Sequence, residues 1–163
     1  MGKEIMIRKS EIPSLNENEI EKYFLEAEMS LRKRAPKILH KEGDYNNKVF
    51  NFILEESYMR PHRHPSVEKK ENMFVLMGSF ALIYFDDTGA VTDKIILESN
   101  KKKFVEVPAF KWHTYVMLSK RVIVYETMEG VYDPQTWKDL AVWAPEEHEK
   151  LSKNYLSNLK DNL

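Results

Sequence analysis

The stretch Arg60-Pro-His-Arg-His-Pro-Ser-Val-Glu-Lys-Lys-Glu-Asn-Met-Phe-Val-Leu-Met-Gly78 decides the fold. Its first part indicates an extended segment, in which side chains alternate between the two faces of a sheet. His62 and His64 stand two residues apart, so both imidazoles should leave the same face as a pair of metal ligands. A carboxylate follows at Glu71, and the apolar run after it predicts a second strand that ends at Gly78.

A third histidine comes from a distant part of the chain. His113 stands at the head of a strand predicted for residues 114–118. A lone His-x-His pair is weak evidence for a metal, and a single buried histidine is more often a core residue. Three histidines and a carboxylate that converge would instead supply four ligands. Nitrogen and oxygen ligands of this kind leave Fe(II), Mn(II), Ni(II) and Zn(II) open for one divalent transition-metal ion.

The two histidine motifs together resemble the cupin superfamily, in which two histidines and a glutamate come from the first motif and a third histidine from the second. Over residues 34 to 147, several stretches are similar to one branch, the WbuC-type cupin fold metalloproteins. These stretches are Tyr58-Met-Arg-Pro-His-Arg-His-Pro65, Phe85-Asp-Asp-Thr-Gly89, Val107-Pro-Ala-Phe-Lys-Trp-His-Thr114, Glu129-Gly-Val-Tyr-Asp-Pro134 and Trp143-Ala-Pro-Glu-Glu147. The resemblance implies a mainly β cupin fold, a double-stranded β-helix or jelly-roll barrel, with His62, His64, Glu71 and His113 as the metal ligands.

The chain departs from the cupin pattern at two loops. The loop after His64 is longer by two residues, which leaves Glu68 as an alternative carboxylate to Glu71. We prefer Glu71 because it opens the next strand and keeps its spacing to the glycine at the strand end. In the second motif, Phe110 stands where cupins have a glycine, and this change should affect loop shape more than metal chemistry.

The domain organisation follows from length and pattern. A chain of 163 residues indicates one domain over 1–163 with its own core. We expect a strand (4–8) and a helix before residue 45, a barrel over 46–143, and a C-terminal helix over 145–163 that starts at Pro145. A capping box at Asn16 and Glu19 and the helical spacing after it predict a helix over about 17–34, ended by Pro36. Residues 72–77 and 80–85 should pair as one hairpin, and residues 113–118 and 121–127 as another.

Composition excludes several classes of partner. With 25 Lys and Arg against 26 Asp and Glu, the net charge of −1 provides no field for a polyanion or a membrane surface, so we expect no nucleic acid and no membrane partner. The chain has no cysteine, which excludes disulfides and thiolate metal sites. We find no signal-peptide core and no apolar run near the roughly 20 residues of a membrane span, and we therefore expect a cytoplasmic protein.

Two arginines and one histidine are candidate ligand-binding residues. The resemblance implies that Arg34 and His40 reach over the barrel mouth and hold an anionic ligand, whereas a plain charge cluster at a helix C-terminus is the alternative for Arg34. Arg60 shares the strand parity of His62 and His64, so it should face the cavity. The alternative for Arg60 is a structural ion pair.

Two further residues are candidate catalytic groups. Tyr115 shares a strand face with His113, and the alternation of residues 121–127 places Glu126 on one face with Val122 and Val124. Either residue could transfer a proton near the metal, and either could instead serve packing alone.

The resemblance implies a metal-binding protein that binds or acts on a small polar ligand, a saccharide or a sugar nucleotide, in polysaccharide biosynthesis. An enzyme of this kind would carry out isomerase-like, epimerase-like or oxygenase chemistry, including that of an Fe(II)-dependent dioxygenase. A non-catalytic ligand-binding or structural cupin is the alternative. Aromatic-rich outer strands also predict a homodimer.

Overall fold

The computed structural model describes residues 15–163, so the strand predicted for residues 4–8 lies outside the described residues. Within them, two helices flank ten strands. The elements are α1 (Glu17–Met29), β1 (Arg34–Ile38), β2 (Asn46–Leu54), β3 (His62–Arg63), β4 (Glu71–Met77), β5 (Ser79–Phe85), β6 (Val91–Glu98), β7 (Phe104–Val107), β8 (Trp112–Met117), β9 (Arg121–Glu129), β10 (Asp139–Leu140) and α2 (Lys150–Asp161).

The strands form two antiparallel sheets of five strands each. Sheet A has the order β1-β2-β9-β4-β7, and sheet B has the order β10-β3-β8-β5-β6. Inward-facing side chains from both sheets share one apolar core that includes Met73, Phe80, Leu82, Met117 and Val122. This architecture confirms the predicted jelly-roll barrel with a helix on each side of it in sequence.

Both predicted hairpins are wrong. β4 pairs with β7 and β9, whereas β5 pairs with β6 and β8, so the chain crosses from sheet A to sheet B at Gly78. Gly78 has φ +75°, and a Cβ there would lie 2.6 Å from the carbonyl oxygen of Arg121. The turn between β8 and β9 makes the same crossing in the opposite direction. Alternation shows which face of a strand is buried, but it does not show which strand lies beside it.

Helix α1 begins as predicted and ends earlier. The capping box is present, since Asn16 Oδ1 accepts the N–H of Glu19 at 3.0 Å and Glu19 Oε2 accepts the N–H of Asn16 at 3.2 Å. The predicted end near residue 34 is wrong, because the helix stops at Met29 and Arg34 opens β1. Pro36 lies inside β1, an edge strand, where a missing N–H is tolerated.

The two helices cover the outer faces of the two sheets. Phe24 of α1 packs on Phe52 of β2 with ring centroids 5.4 Å apart. Leu156 and Leu159 of α2 pack with Val116 of β8 in a separate cluster. The C-terminal helix begins at Lys150 rather than at Pro145. In the described part of the chain, both helices are too short or too polar to cross a membrane.

Candidate metal centre and ligand cavity

Four ionisable side chains meet inside the barrel. His62 on β3 lies directly opposite His113 on β8 in sheet B, and Glu71 opens β4 in the facing sheet A. His64 follows β3, a strand of two residues that lies between Pro61 and Pro65, which lack the N–H needed to extend it. We call these side chains the histidine–glutamate group (His62, His64, Glu71 and His113). All four are buried, and one ligand atom from each lies within 4.8 Å of the others.

Each imidazole is held through its Nδ1 atom, which lies at hydrogen-bond distance from a backbone carbonyl oxygen. The pairs are His62 with Arg60 at 3.2 Å, His64 with Trp137 at 2.9 Å, and His113 with Lys111 at 2.8 Å. A carbonyl oxygen can only accept, so Nδ1 carries the proton in each ring. In a neutral ring the Nε2 atom therefore keeps its lone pair, and all three Nε2 atoms are free to bind a metal.

The Glu71 carboxylate faces two of these nitrogens. Glu71 Oε2 lies 3.0 Å from His113 Nε2 and 3.5 Å from His64 Nε2. Unprotonated nitrogens and a carboxylate oxygen present lone pairs to one another, so the arrangement is favourable only with a proton or a cation between them. His64 Nε2 is also buried without a hydrogen-bond partner among the described residues. The donor set and this unpaired atom fit a metal ion.

The protonation of the group suits metal binding. Burial alone would raise the pKa of Glu71, but its contacts with His113 and His64 outweigh burial and hold the pKa well below its usual range. Burial is the main cause, and the neighbouring His113 the second, that lowers the pKa of His62 well below its usual range. An ionised carboxylate and a neutral imidazole are the forms that bind metals.

Phe110 fixes the loop before β8. Its N–H donates to the carbonyl oxygen of His64 at 2.9 Å, which joins this loop to the end of the first histidine motif. Phe110 has φ 63°, the left-handed conformation that glycine adopts most easily. The residue thus holds a conformation that costs roughly 1–2 kcal/mol for a side chain with a Cβ.

A cavity of about 390 Å³ opens over the histidine–glutamate group. Its wall includes the basic residues Arg32, Arg34 and Lys138 and, at the same opening, the aromatic residues Tyr132 and Trp137. The rings of Tyr132 and Trp137 lie 5.1 Å apart. A small molecule could therefore contact the metal-binding atoms, basic groups and aromatic faces at once.

Arg34 and His40 line the cavity, but both are already engaged within the protein. The guanidinium of Arg34 donates to Glu147 at 2.7 Å, to Ser57 at 3.2 Å and to the Tyr58 carbonyl oxygen at 3.0 Å. His40 Nδ1 accepts the backbone N–H of Lys48 at 3.0 Å. Because α1 ends at Met29, Arg34 is not part of a helix C-terminus.

Arg60 does not face the cavity, contrary to the prediction. Its Nε donates to the Ala141 carbonyl oxygen at 2.9 Å, and its Nη1 lies 3.5 Å from Glu146. Strand alternation does not extend back to Arg60, because β3 begins only at His62. The structural ion pair that was the alternative for Arg60 is the arrangement found.

Glu126 and Tyr115 both line the cavity. Glu126 Oε1 is buried without a hydrogen-bond partner among residues 15–163. Burial, followed by the charge of Glu71, raises the pKa of Glu126 well above its usual range, so this carboxyl keeps its proton to a higher pH than an exposed glutamate does. Burial is the main cause, and the neighbouring Glu126 the second, that raises the pKa of Tyr115 well above its usual range.

Sequence reasoning missed Trp137 and Lys138 and left the choice between two carboxylates open. Glu68 lies beside Gly130, away from the histidine–glutamate group, and Glu71 is the carboxylate that joins the histidines. Trp137 and Lys138 fall in the gap between the family-like stretches that end at Pro134 and begin at Trp143. Their only sequence signal is an aromatic residue next to a basic one in a loop, which is too common to be informative.

Comparisons with known proteins show the fold. A family model described as "Domain of unknown function (DUF6016)" matches residues 15–97. Protein SO0799 from Shewanella oneidensis is 13% identical with a TM-score of 0.56, and the match covers 78% of this chain and 85% of that one. The capsular polysaccharide assembling protein CapF from Staphylococcus aureus is 17% identical with a TM-score of 0.53, covering 63% of this chain and 30% of CapF.

A structure of oxalate oxidase with the substrate analogue glycolate is 10% identical with a TM-score of 0.52, covering 68% of this chain and 56% of that one. The match to CapF covers less than a third of the length of CapF. No curated protein matches the sequence. The structural neighbours are cupin-fold proteins, which confirms the cupin fold, while membership of the WbuC-type branch stays a prediction.

Proposed function

The chain belongs to the family described as a domain of unknown function (DUF6016), and since that description names no activity, we propose a function from the site itself. The protein is a metal-binding cupin that holds one divalent transition-metal ion, Fe, Mn, Ni or Zn, on the histidine–glutamate group. The observation that carries this proposal is the Nδ1 hydrogen bond of each imidazole to a backbone carbonyl, which leaves three Nε2 atoms and one carboxylate oxygen within 4.8 Å of one another.

We further propose that the site serves a small polar ligand, a saccharide or a sugar nucleotide. A cavity of about 390 Å³ is in the size range of small-molecule sites. The aromatic faces of Tyr132 and Trp137 suit a sugar ring, and Arg34 and His40 are candidate contacts at the cavity wall. CapF is described as a capsular polysaccharide assembling protein, which supports this ligand class as a fold-level analogy only.

Two side chains of the cavity are proposed to act on the ligand. When bound, the ion would polarise a ligand oxygen as a Lewis acid. The Glu126 carboxyl, whose Oε1 has no partner among the described residues and whose pKa is raised by burial, would give a proton to the ligand and, once ionised, take one back. The Tyr115 hydroxyl would hold the ligand by a hydrogen bond. This assignment favours proton transfer of the isomerase or epimerase type.

Metal content tests the proposal directly. Untagged protein purified without chelator or a nickel column should contain about one transition-metal ion per chain by elemental analysis. His62→Ala should lose that ion while keeping its circular dichroism spectrum. His40→Ala is the matched control, because His40 lines the same cavity outside the histidine–glutamate group. Wild-type protein without stoichiometric metal, or a metal content in His62→Ala equal to that in His40→Ala, would refute the proposal.

A panel of free sugars and sugar nucleotides then separates an enzyme from a binding module. Turnover that disappears in His62→Ala and returns to metal-free wild-type protein with one particular metal would mark an enzyme. A ligand that raises the melting temperature of the metal-loaded protein without forming a product would mark a binding module.

We also propose a homodimer formed through the outer face of sheet A. Helix α1 covers β1 and β2 but leaves Phe74, Leu76 and Phe104 on β4 and β7 exposed by 40%, 49% and 43%. The rings of Phe74 and Phe104 lie 4.5 Å apart and form a continuous apolar surface. Light scattering should give about twice the chain mass of 19.3 kDa for the wild type. Phe74→Glu should give the monomer mass, and equal masses would count against this surface.

A further inference from the structure

The basic residues of the cavity wall differ in how their charges are satisfied. Arg32 Nε donates to Glu147 Oε2 at 2.9 Å, and Arg34 Nη2 donates to Glu147 Oε1 at 2.7 Å. Arg34 also donates to Ser57 and to two backbone carbonyl oxygens. Both arginines are therefore held by the protein itself.

Lys138 is the exception. It lines the cavity and is half-buried, yet the described part of the chain gives its ammonium group no hydrogen bond and no ion pair. The buried Lys69, by contrast, has partners for its ammonium group. Its Nζ donates to the Thr136 carbonyl oxygen at 2.9 Å and lies 4.8 Å from the Trp137 ring. Without an acceptor among the described residues, the ammonium group of Lys138 can donate only to water or to a bound molecule. Lys138 thus keeps donors available to a molecule that enters the cavity.

The backbone ties Lys138 to the metal centre. The preceding residue, Trp137, uses its carbonyl oxygen to accept the Nδ1 proton of His64. Lys138 also lines the same cavity as His62 and Glu71. A ligand that reaches the Nε2 atoms of the histidine–glutamate group is therefore also near the ammonium group.

The charge of the assembled site favours an anion. A divalent ion on three neutral imidazoles and one carboxylate leaves one net positive charge, and Lys138 adds a second on the same cavity. A neutral ligand would leave both charges without a counter-charge.

We infer that Lys138 binds an oxyanion of the ligand, a carboxylate or phosphate group, while another oxygen of the same ligand reaches the metal. This inference rests on the proposed metal centre and narrows the ligand from polar to anionic. Lys138 is then the residue that discriminates an acidic ligand from its neutral counterpart. An ammonium group acts as a point charge and accepts either kind of oxyanion.

Cobalt(II)-loaded protein provides the test, because its visible absorption reports the groups bound to the ion. Three probes are titrated: glycolate, its neutral isostere glycolamide, and inorganic phosphate. The variants are Lys138→Met, Lys138→Arg and, as a control for net charge, Lys120→Met, which removes an exposed lysine from the turn between β8 and β9. Cobalt content is measured for each protein before titration.

In Lys138→Met the Kd for at least one anion should rise by about tenfold or more, as expected for a lost hydrogen bond between charged groups. The Kd for glycolamide should stay within about twofold, and Lys138→Arg and Lys120→Met should stay close to wild type. The anion that shows the loss identifies the group as a carboxylate or a phosphate.

An equal loss for glycolate and glycolamide, no loss for either anion, or no binding of either anion to the wild type would overturn the inference. These outcomes with one cobalt ion per chain leave the metal centre intact. Absence of cobalt from the wild type would overturn the metal centre and the inference together.

Discussion

The interior of the barrel has two halves that are built from the same strands. Alternate residues of β4, β8 and β9 point inward, and each series changes from ionisable to apolar side chains along the strand. The inward series are Glu71, Met73 and Val75 on β4; His113, Tyr115 and Met117 on β8; and Glu126, Val124 and Val122 on β9, read against the chain direction. We call the first end the polar half and the other the apolar half.

The comparison shows how the fold separates binding from stability. Adjacent inward positions are only about 7 Å apart along a strand, so the boundary between the halves is one side chain wide. The apolar half contains side chains with exposures of 0%, including Phe80, Leu82 and Met117. The polar half contains buried atoms without partners among the described residues, His64 Nε2 and Glu126 Oε1. We expect stability to depend on the first half and ligand chemistry on the second.

The largest effect is expected in the apolar half. Phe80→Ala removes a fully buried ring and should lower the free energy of unfolding by about 3–5 kcal/mol, measured by urea denaturation. Phe74→Ala, which removes a phenylalanine that is 40% exposed on the outer face, should cost clearly less. The folded Phe80→Ala protein should still bind one metal ion per chain. Loss of metal with little loss of stability would show that the two halves are not separate.

Removing the metal should have a smaller effect on stability, and that effect should arise in the polar half. With free zinc at a hundredfold excess over its Kd, binding to the folded state adds about 2.7 kcal/mol to the free energy of unfolding. EDTA should remove this increment from the wild type and from Phe74→Ala. In His113→Ala the zinc-dependent increment should be largely absent, because one of the four ligands is missing. A zinc increment in His113→Ala as large as in the wild type would place the ion elsewhere.

Inward and outward positions along the barrel strands could be predicted from the sequence. Period-two alternation correctly assigned Val122, Val124 and Glu126 to one face, because one face of each strand is buried. Alternation does not hold for Arg60, because Pro61 separates this residue from β3. Alternation describes regular strand only, and proline interrupts it.

Strand partners and loop positions could not be predicted in this way. A short turn can lead either to a hairpin or to a crossing between sheets, and the choice depends on packing against distant strands, as at Gly78. Lys138 lies in a loop, where neither helical nor strand periodicity fixes the direction of a side chain. The basic residues after Met29 are typical of a helix C-terminus and therefore predict too long a helix, although Arg34 pairs instead with Glu147.

A pH-dependent effect separates the two carboxyl groups of the polar half. Glu71 is ionised among imidazoles, whereas burial and then Glu71 raise the pKa of Glu126 well above its ordinary value of 4.5. Between that ordinary value and the raised one, the native state keeps a proton that the unfolded chain releases. The stability of metal-free protein should therefore fall as pH rises through this window, by at most about 1.4 kcal/mol per pH unit from this group.

Glu126→Gln should remove this part of the pH dependence, because an amide of the same shape has no proton to release. Urea unfolding in EDTA from pH 4.5 to pH 8 should show a flatter profile for Glu126→Gln than for the wild type, with the variant relatively more stable at the upper end. Glu129→Gln, which removes an exposed carboxylate from the same strand, is the control for net charge. If Glu126→Gln and Glu129→Gln follow the same profile, then Glu126 is ionised in the native state, and the polar half contains two carboxylates instead of one carboxylate and one proton donor.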